Sequence, residues 1–205
     1  MKPFIVAIDV GAPRNIGWYC STFEKEPGDN SCGTIDDLPG LLERKDYLAI
    51  GFEAPLFIPV TNFKNFTKKR KVDGNRPWSA GAGAYVTTVN LPLLVLCIKT
   101  IAKAHDDIEF TSSYHYWKEK RGKCILFWEA FISGKNQIEA QNPHIQAAQS
   151  ACELFRKNPD QPFALPKEQW INLPAVLTLG MQLNIKFIDP EVGLVVKSEV
   201  TNDQG

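Results

Sequence analysis

The sequence carries no net charge: its 23 Lys and Arg residues balance 23 Asp and Glu residues. No overall field therefore draws the chain to nucleic acid or to a membrane, and any polyanion binding has to come from a local patch. A Cys-x-x-Cys pair is also missing. The five cysteines (Cys20, Cys32, Cys97, Cys124, Cys152) are odd in number and scattered. That spacing argues against zinc and against a disulfide framework. It favours reduced, mostly buried thiols, as expected of a cytoplasmic protein. Long apolar runs are absent. The stretch 89–101 is broken by Pro92 and falls short of a membrane span, and the N-terminal run is too short for a signal peptide and is interrupted by Asp9. There is no Gly-x-Ser-x-Gly elbow, and the scattered Cys and His residues offer no nucleophile–base pairing. No internal repeat or low-complexity tract divides the chain, so residues 1–205 are expected to form one domain.

What is present is a set of short apolar runs. Residues 4–10 (FIVAIDV) form an almost unbroken run ending at Gly11, the pattern of a strand buried on both faces. Residues 16–22 form a second strand, 32–35 a short third, and 47–53 (YLAIGFE) a fourth, with a short helix predicted over 35–44. Residues 56–84 hold several Pro and Gly and little periodicity, which predicts a loop-rich insertion after the fourth strand. A helix over 86–104, a buried strand over 123–131 (KCILFWEAF) and a helix over 143–157 follow. A less regular helix over 170–183 and a sheet-edge segment over 191–196 complete the pattern. Three early strands, a short helix and a further strand favour an α/β fold of the ribonuclease H-like kind, a mixed sheet flanked by helices. A doubly wound nucleotide-binding fold would alternate strand and helix from the start.

Three acids stand at the ends of these apolar runs: Asp9 in IVAIDVG, Glu53 in LAIGFEAP and Glu129 in ILFWEAF. An ionised carboxylate there is costly unless it is paired or binds a metal. Ligands gather at the C-terminal strand ends of parallel-type sheets. Neighbouring strands would bring the three together into a site for Mg²⁺ or Mn²⁺, which prefer oxygen ligands. Two such ions can activate a water and stabilise the leaving oxygen in phosphodiester cleavage. Any one of these acids can instead cap a helix, pair with an arginine or face solvent.

At these residues the chain resembles the ribonuclease H-like superfamily, and within it the predicted RNase H-like nuclease domains related to Holliday-junction resolvases. The resemblance runs through Ala7-Ile8-Asp9-Val10-Gly11, Ile16-Gly17-Trp18 and Phe52-Glu53-Ala54-Pro55-Leu56. It continues in Arg70-Lys71-Val72-Asp73 with Arg76, and in Trp128-Glu129-Ala130-Phe131. It implies metal-dependent nuclease activity on DNA or RNA, with metal-ligand roles for Asp9, Glu53 and Glu129. It also implies a further acid on a late helix, in a pattern like His-x-x-Asp-Ala. Here that stretch reads His144-Ile145-Gln146-Ala147-Ala148. His144 matches, and neutral imidazole is an acceptable ligand, but Ala147 stands where the acid would be, and Asn172 on the last helix is neutral too. Either the site uses fewer carboxylates or the domain is an inactive nucleic-acid- or protein-binding module.

The one dense basic run is Lys64, Lys68, Lys69, Arg70, Lys71 and Arg76, interleaved with Phe63, Phe66 and Trp78. Cations on phosphates and aromatics on unpaired bases suit a nucleic-acid strand, and a solvated loop whose aromatics plug the core is the alternative. Gly81-Ala82-Gly83-Ala84 lacks a Walker lysine, and a flexible helix entry explains it better than a phosphate loop. The aromatic group Tyr114, His115, Tyr116 and Trp117 suits a packed loop as well as a binding surface. Asp9-Val10-Gly11 also resembles the start of an actin- or hexokinase-like phosphate motif, but the second domain and second phosphate loop of that class are not evident. Nucleic acid is the expected partner, with no membrane and with a homodimer as a candidate assembly.

Overall fold

Strands that are apolar at nearly every position have to be covered on both faces, and three of them form the centre of the sheet. The computed structural model describes residues 3–24, 30–44, 48–60, 69–70, 73, 77–120, 122–131, 142–157 and 170–197. The chain runs β1 (Phe4–Asp9), a 3₁₀ turn (Pro13–Asn15), β2 (Gly17–Thr22), β3 (Asn30–Thr34), α1 (Leu38–Leu42), β4 (Leu48–Phe52) and β5 (Phe57–Pro59). It continues through α2 (Gly81–Ala104), β6 (Glu109–Thr111), α3 (Tyr114–Lys120), β7 (Cys124–Phe131) and α4 (Pro143–Lys157). The last elements are β8 (Trp170–Asn172), α5 (Leu173–Gly180), β9 (Lys186–Ile188) and β10 (Val195–Lys197).

The main sheet has the order β3-β2-β1-β4-β7-β6-β9. β1, β2 and β3 form an antiparallel meander. β4 joins β1 in parallel, β7 joins β4, and β6 and β9 follow, all parallel. β10 pairs with β7 beyond the point where β6 stops, with Val195 opposite Glu129. β5 and β8 form a separate antiparallel ribbon. The protein is thus an α/β fold with a mixed, mostly parallel sheet flanked by helices.

Side chains alternate between the two faces. Ile8, Ile50, Phe52, Ile125 and Phe127 pack with α1 and α2. Ile5, Ala7, Ala49, Leu126 and Trp128 pack with α3 and α4. Each fully buried Leu, Ile or Phe among them contributes roughly 1.5–3 kcal/mol. Gly51 is required by this packing: it lies in register with Trp128, and a Cβ there would come within 2.3 Å of the indole.

Several boundaries differ from the sequence pattern for local reasons. The helix expected from residue 86 begins at Gly81, so the Gly-Ala stretch is its first turn. At 24 residues, with an 18-residue stretch of mean hydropathy 1.7, α2 is long and apolar enough to cross a membrane by length and composition alone. In the fold, its Leu94, Cys97, Ile98 and Ile101 face is buried in the core. The helix expected over 170–183 opens as strand β8. Asn172 then caps α5 by accepting a hydrogen bond from the Ala175 N–H, and Pro174 fits the first turn. The aromatic group after β6 is helix α3, with Tyr114 and Trp117 buried. β6 and β9, three residues each, were not legible. Of the insertion, residues 61–68, 71–72 and 74–76 lie outside the described residues.

Candidate strand-end acidic site

Parallel register sets the three acids side by side. Ile8 is opposite Phe52, Phe52 is opposite Glu129, and the Glu53 N–H donates to Ile8 O at 2.8 Å. Asp9 and Glu53 therefore follow equivalent positions on neighbouring strands, which lie about 4.8 Å apart in any sheet. Glu129 sits one step earlier. By the two-residue alternation it shares the α2 side of the sheet with Ile8 and Phe52, whereas Asp9 belongs to the α4 side.

A cavity of about 500 Å³ opens over these ends, lined by Asp9, Glu53 and Glu129 together with Trp78 and residues 80–83 of the α2 entry. Ala80 gives α2 no side-chain cap and the first turn holds no acid. The positive end of the helix dipole therefore borders a cavity whose lining also holds Arg70 and Asp73 beside the three acids. One cavity thus has anionic and anion-attracting walls.

Each acid has a different environment. Asp9 Oδ2 lies 2.6 Å from His144 Nδ1. This approach depends on Gly17, the register partner of Asp9, because a Cβ there would meet Ile145 N at 2.8 Å and His144 Cβ at 2.9 Å. The first turn of α4 consequently rests directly on the β2 backbone. Asn142 Oδ1 accepts from the His144 N–H at 3.0 Å and secures that turn.

Glu129 is buried, and both of its oxygens are engaged by Arg70 at 2.7 Å. Oε2 also accepts from the Leu56 N–H at 2.9 Å. Arg70 donates further to Asp73 Oδ1, from Nε at 2.9 Å and Nη2 at 2.6 Å, and to Phe57 O at 2.9 Å. Burial alone would lower the Arg70 pKa, but the charges and hydrogen bonds of Glu129 and Asp73 raise it above its ordinary value. Arg70 is a permanent internal cation that ties Asp73 to β7 and to the start of β5.

These contacts bear on two expectations. Glu129 has its charge met by Arg70, each oxygen accepting at 2.7 Å, so it stands at the strand end as a paired acid. Arg70 is only 5% exposed with its donors occupied, so it is not a surface contact for phosphate. His144 does not line the cavity; it touches Asp9 from the α4 side. Ala147 is half-buried one turn after His144. Asn172 is 4% exposed, with its side chain spent on the α5 cap and on Ser112 Oγ. Lys69 is exposed and Trp78 half-buried at the cavity, while Lys68, Lys71 and Arg76 lie outside the described residues.

No family model, curated protein or solved structure matches the chain. What the site can do follows from its chemistry alone. Among the described residues no three His, Cys, Asp or Glu side chains are grouped to hold a metal. A four-ligand, two-ion centre does not fit. A single Mg²⁺ or Mn²⁺ does, because such ions commonly take one or two carboxylates, retain waters and complete their shell with substrate phosphate oxygens. Asp9 and Glu53 are the residues that would hold it. Asp73 and Gly17, which build the surroundings, were missed as determinants. The Arg-x-x-Asp spacing was visible, but its burial was not.

Proposed function

We propose that the chain is a ribonuclease H-like domain that hydrolyses phosphodiester bonds of nucleic acid with a single divalent ion held by Asp9 and Glu53. The observation that carries this reading is the cavity at the C-terminal strand ends, with two neighbouring carboxylates on one wall and the uncapped first turn of α2 on the other. A phosphate group neutralised by a cation suits both walls at once. The antiparallel β1–β2–β3 meander, the short α1 and the parallel β4 also agree with the family pattern. The ion would supply Lewis-acid polarisation of the phosphate and a more acidic bound water. The protein's part is to fix Asp9 and Glu53 on rigid strands, to present the α2 N–H groups to a phosphate oxygen, and to offer Trp78 as a stacking surface for an unpaired base.

Incubating labelled single-stranded, duplex and branched DNA and RNA with the protein in Mn²⁺ tests this, with Asp9→Asn as control. Cleavage by the unaltered protein and none by the variant is expected. Absence of cleavage on every substrate would overturn it. A second reading, a binding module that has lost catalysis, draws on the Arg70 pairing of Glu129 and on Ala147. Binding of the same nucleic acids without cleavage, retained in Asp9→Asn, would select it.

A further inference from the structure

We infer that α2 is jointed between Asn90 and Pro92, and that residues 81–91 form an arm whose swing opens and closes the strand-end cavity. Pro92 lies inside the helix, and without an N–H it gives nothing to the Thr88 carbonyl one turn back. Proline is also where sharp bends in helices concentrate. The turn before it is loosened further. Thr87 Oγ1 donates to Gly83 O at 2.7 Å, and Thr88 Oγ1 donates to Ala84 O at 2.9 Å. Such side-chain bonds compete with the helix ladder and favour bending. Between them and Pro92 stands Asn90, 0% exposed, with neither its amide oxygen nor its amide nitrogen hydrogen-bonded. A buried amide without a partner opposes the packed arrangement that buries it.

The two halves of the helix are held unequally. Leu93, Leu94, Cys97, Ile98 and Ile101 are buried beyond the proline, whereas Asn90 is the one buried residue of α2 before it. Val86 and Val89 add partial apolar contact with the core. The first turn of the arm is packed on the cavity wall. Gly83 lies so close to the backbone of residues 77–78 that a Cβ would meet Pro77 O at 2.6 Å, and the Ala80 N–H donates to Pro77 O at 3.3 Å. Trp78, residues 80–83 and Val86 thus make one piece of the lining. The acids of the facing wall, Asp9, Glu53 and Glu129, sit at or beside the rigid strands β1, β4 and β7. A joint in α2 therefore changes the width of the cavity, whatever the cavity takes.

A swing of about 20° carries Tyr85, about 10 Å from Pro92 at about 1.5 Å per residue, through about 4 Å. Double electron–electron resonance on the full chain reads such a displacement. One spin label goes on the native Cys32, which is exposed while the other four cysteines are buried. The second goes on Tyr85→Cys in the arm or, as control, on Lys103→Cys beyond the joint; both positions are exposed. The distance from Cys32 to the arm label should be spread over about 4 Å more than the distance to the control label. Asn90→Leu removes the unpaired amide and Pro92→Ala restores the missing N–H, so each should narrow that spread to the control's width. A distance to the arm as sharp as the control's would overturn the inference. A spread that either variant leaves unchanged would overturn it too, because the motion would then not arise at the joint.

Discussion

Replacing Arg70 by methionine removes the cation that pairs with two carboxylates that are each 1% exposed, Glu129 and Asp73. Arg70 makes four charge-assisted hydrogen bonds to them, at 2.6, 2.7, 2.7 and 2.9 Å. Forming such a cluster costs several kcal/mol of desolvation per ion, so its net benefit is small. Removing one partner is different, because the charges left behind keep that cost without compensation, and breaking a buried pair typically costs about 3–5 kcal/mol. Against a total stability of about 5–15 kcal/mol that is a large share. At about 2–4 °C per kcal/mol for a chain of this size, the melting temperature should fall by roughly 6–20 °C. Urea unfolding followed by circular dichroism reads the loss directly. Arg70→Met combined with Glu129→Leu removes both charges of the central pair, so it should be less destabilised than the sum of the single variants by at least about 1 kcal/mol. A single-variant loss below about 1 kcal/mol, or simple additivity, would refute the account of Arg70 as a buried clamp.

Gly17→Ala places a methyl group against the backbone of Ile145 and His144. Overpacking of this kind costs about 1–3 kcal/mol, and the variant should also weaken Mn²⁺ binding by displacing His144. Unaltered stability by urea unfolding would contradict the packing argument. Four of the five cysteines are buried and Cys32 is exposed on the edge strand β3, so a thiol-reactive dye should label one group per native chain and five after denaturation. Burial pushes the Cys97 thiol from 9.0 up to about 12. The folded state therefore holds this proton more tightly, and the stability it contributes is complete below about pH 9 and declines as pH rises through about 12. Cys124 and Cys152 are pushed up by burial as well, so Cys97→Ala should lessen that alkaline decline without abolishing it, in urea midpoints measured from pH 8 to 11.

The long apolar runs were legible because a strand covered on both faces needs no alternation: β1, β4 and β7 stand close to where the pattern put them. Strands β6 and β9 escaped because three residues carry no period. The strand-end acids could be picked out, since a carboxylate after five apolar residues demands a partner. Which partner each would have was not readable. Glu129 is 59 residues from Arg70, and Asp9 is 135 from His144. A one-residue difference in register also sends Glu129 to the opposite side of the sheet from Asp9, which sequence position alone does not reveal. The basic run was read as one surface patch, although Arg-x-x-Asp within it forms a buried clamp.

Crystals soaked in Mn²⁺ and measured at the manganese absorption edge test the central claim most directly. One anomalous peak per chain is predicted, within about 2.1 Å of an Asp9 oxygen and of a Glu53 oxygen, with Glu129 still held by Arg70. Two peaks at the strand ends, a peak on Glu129, or no peak in the cavity would contradict the account.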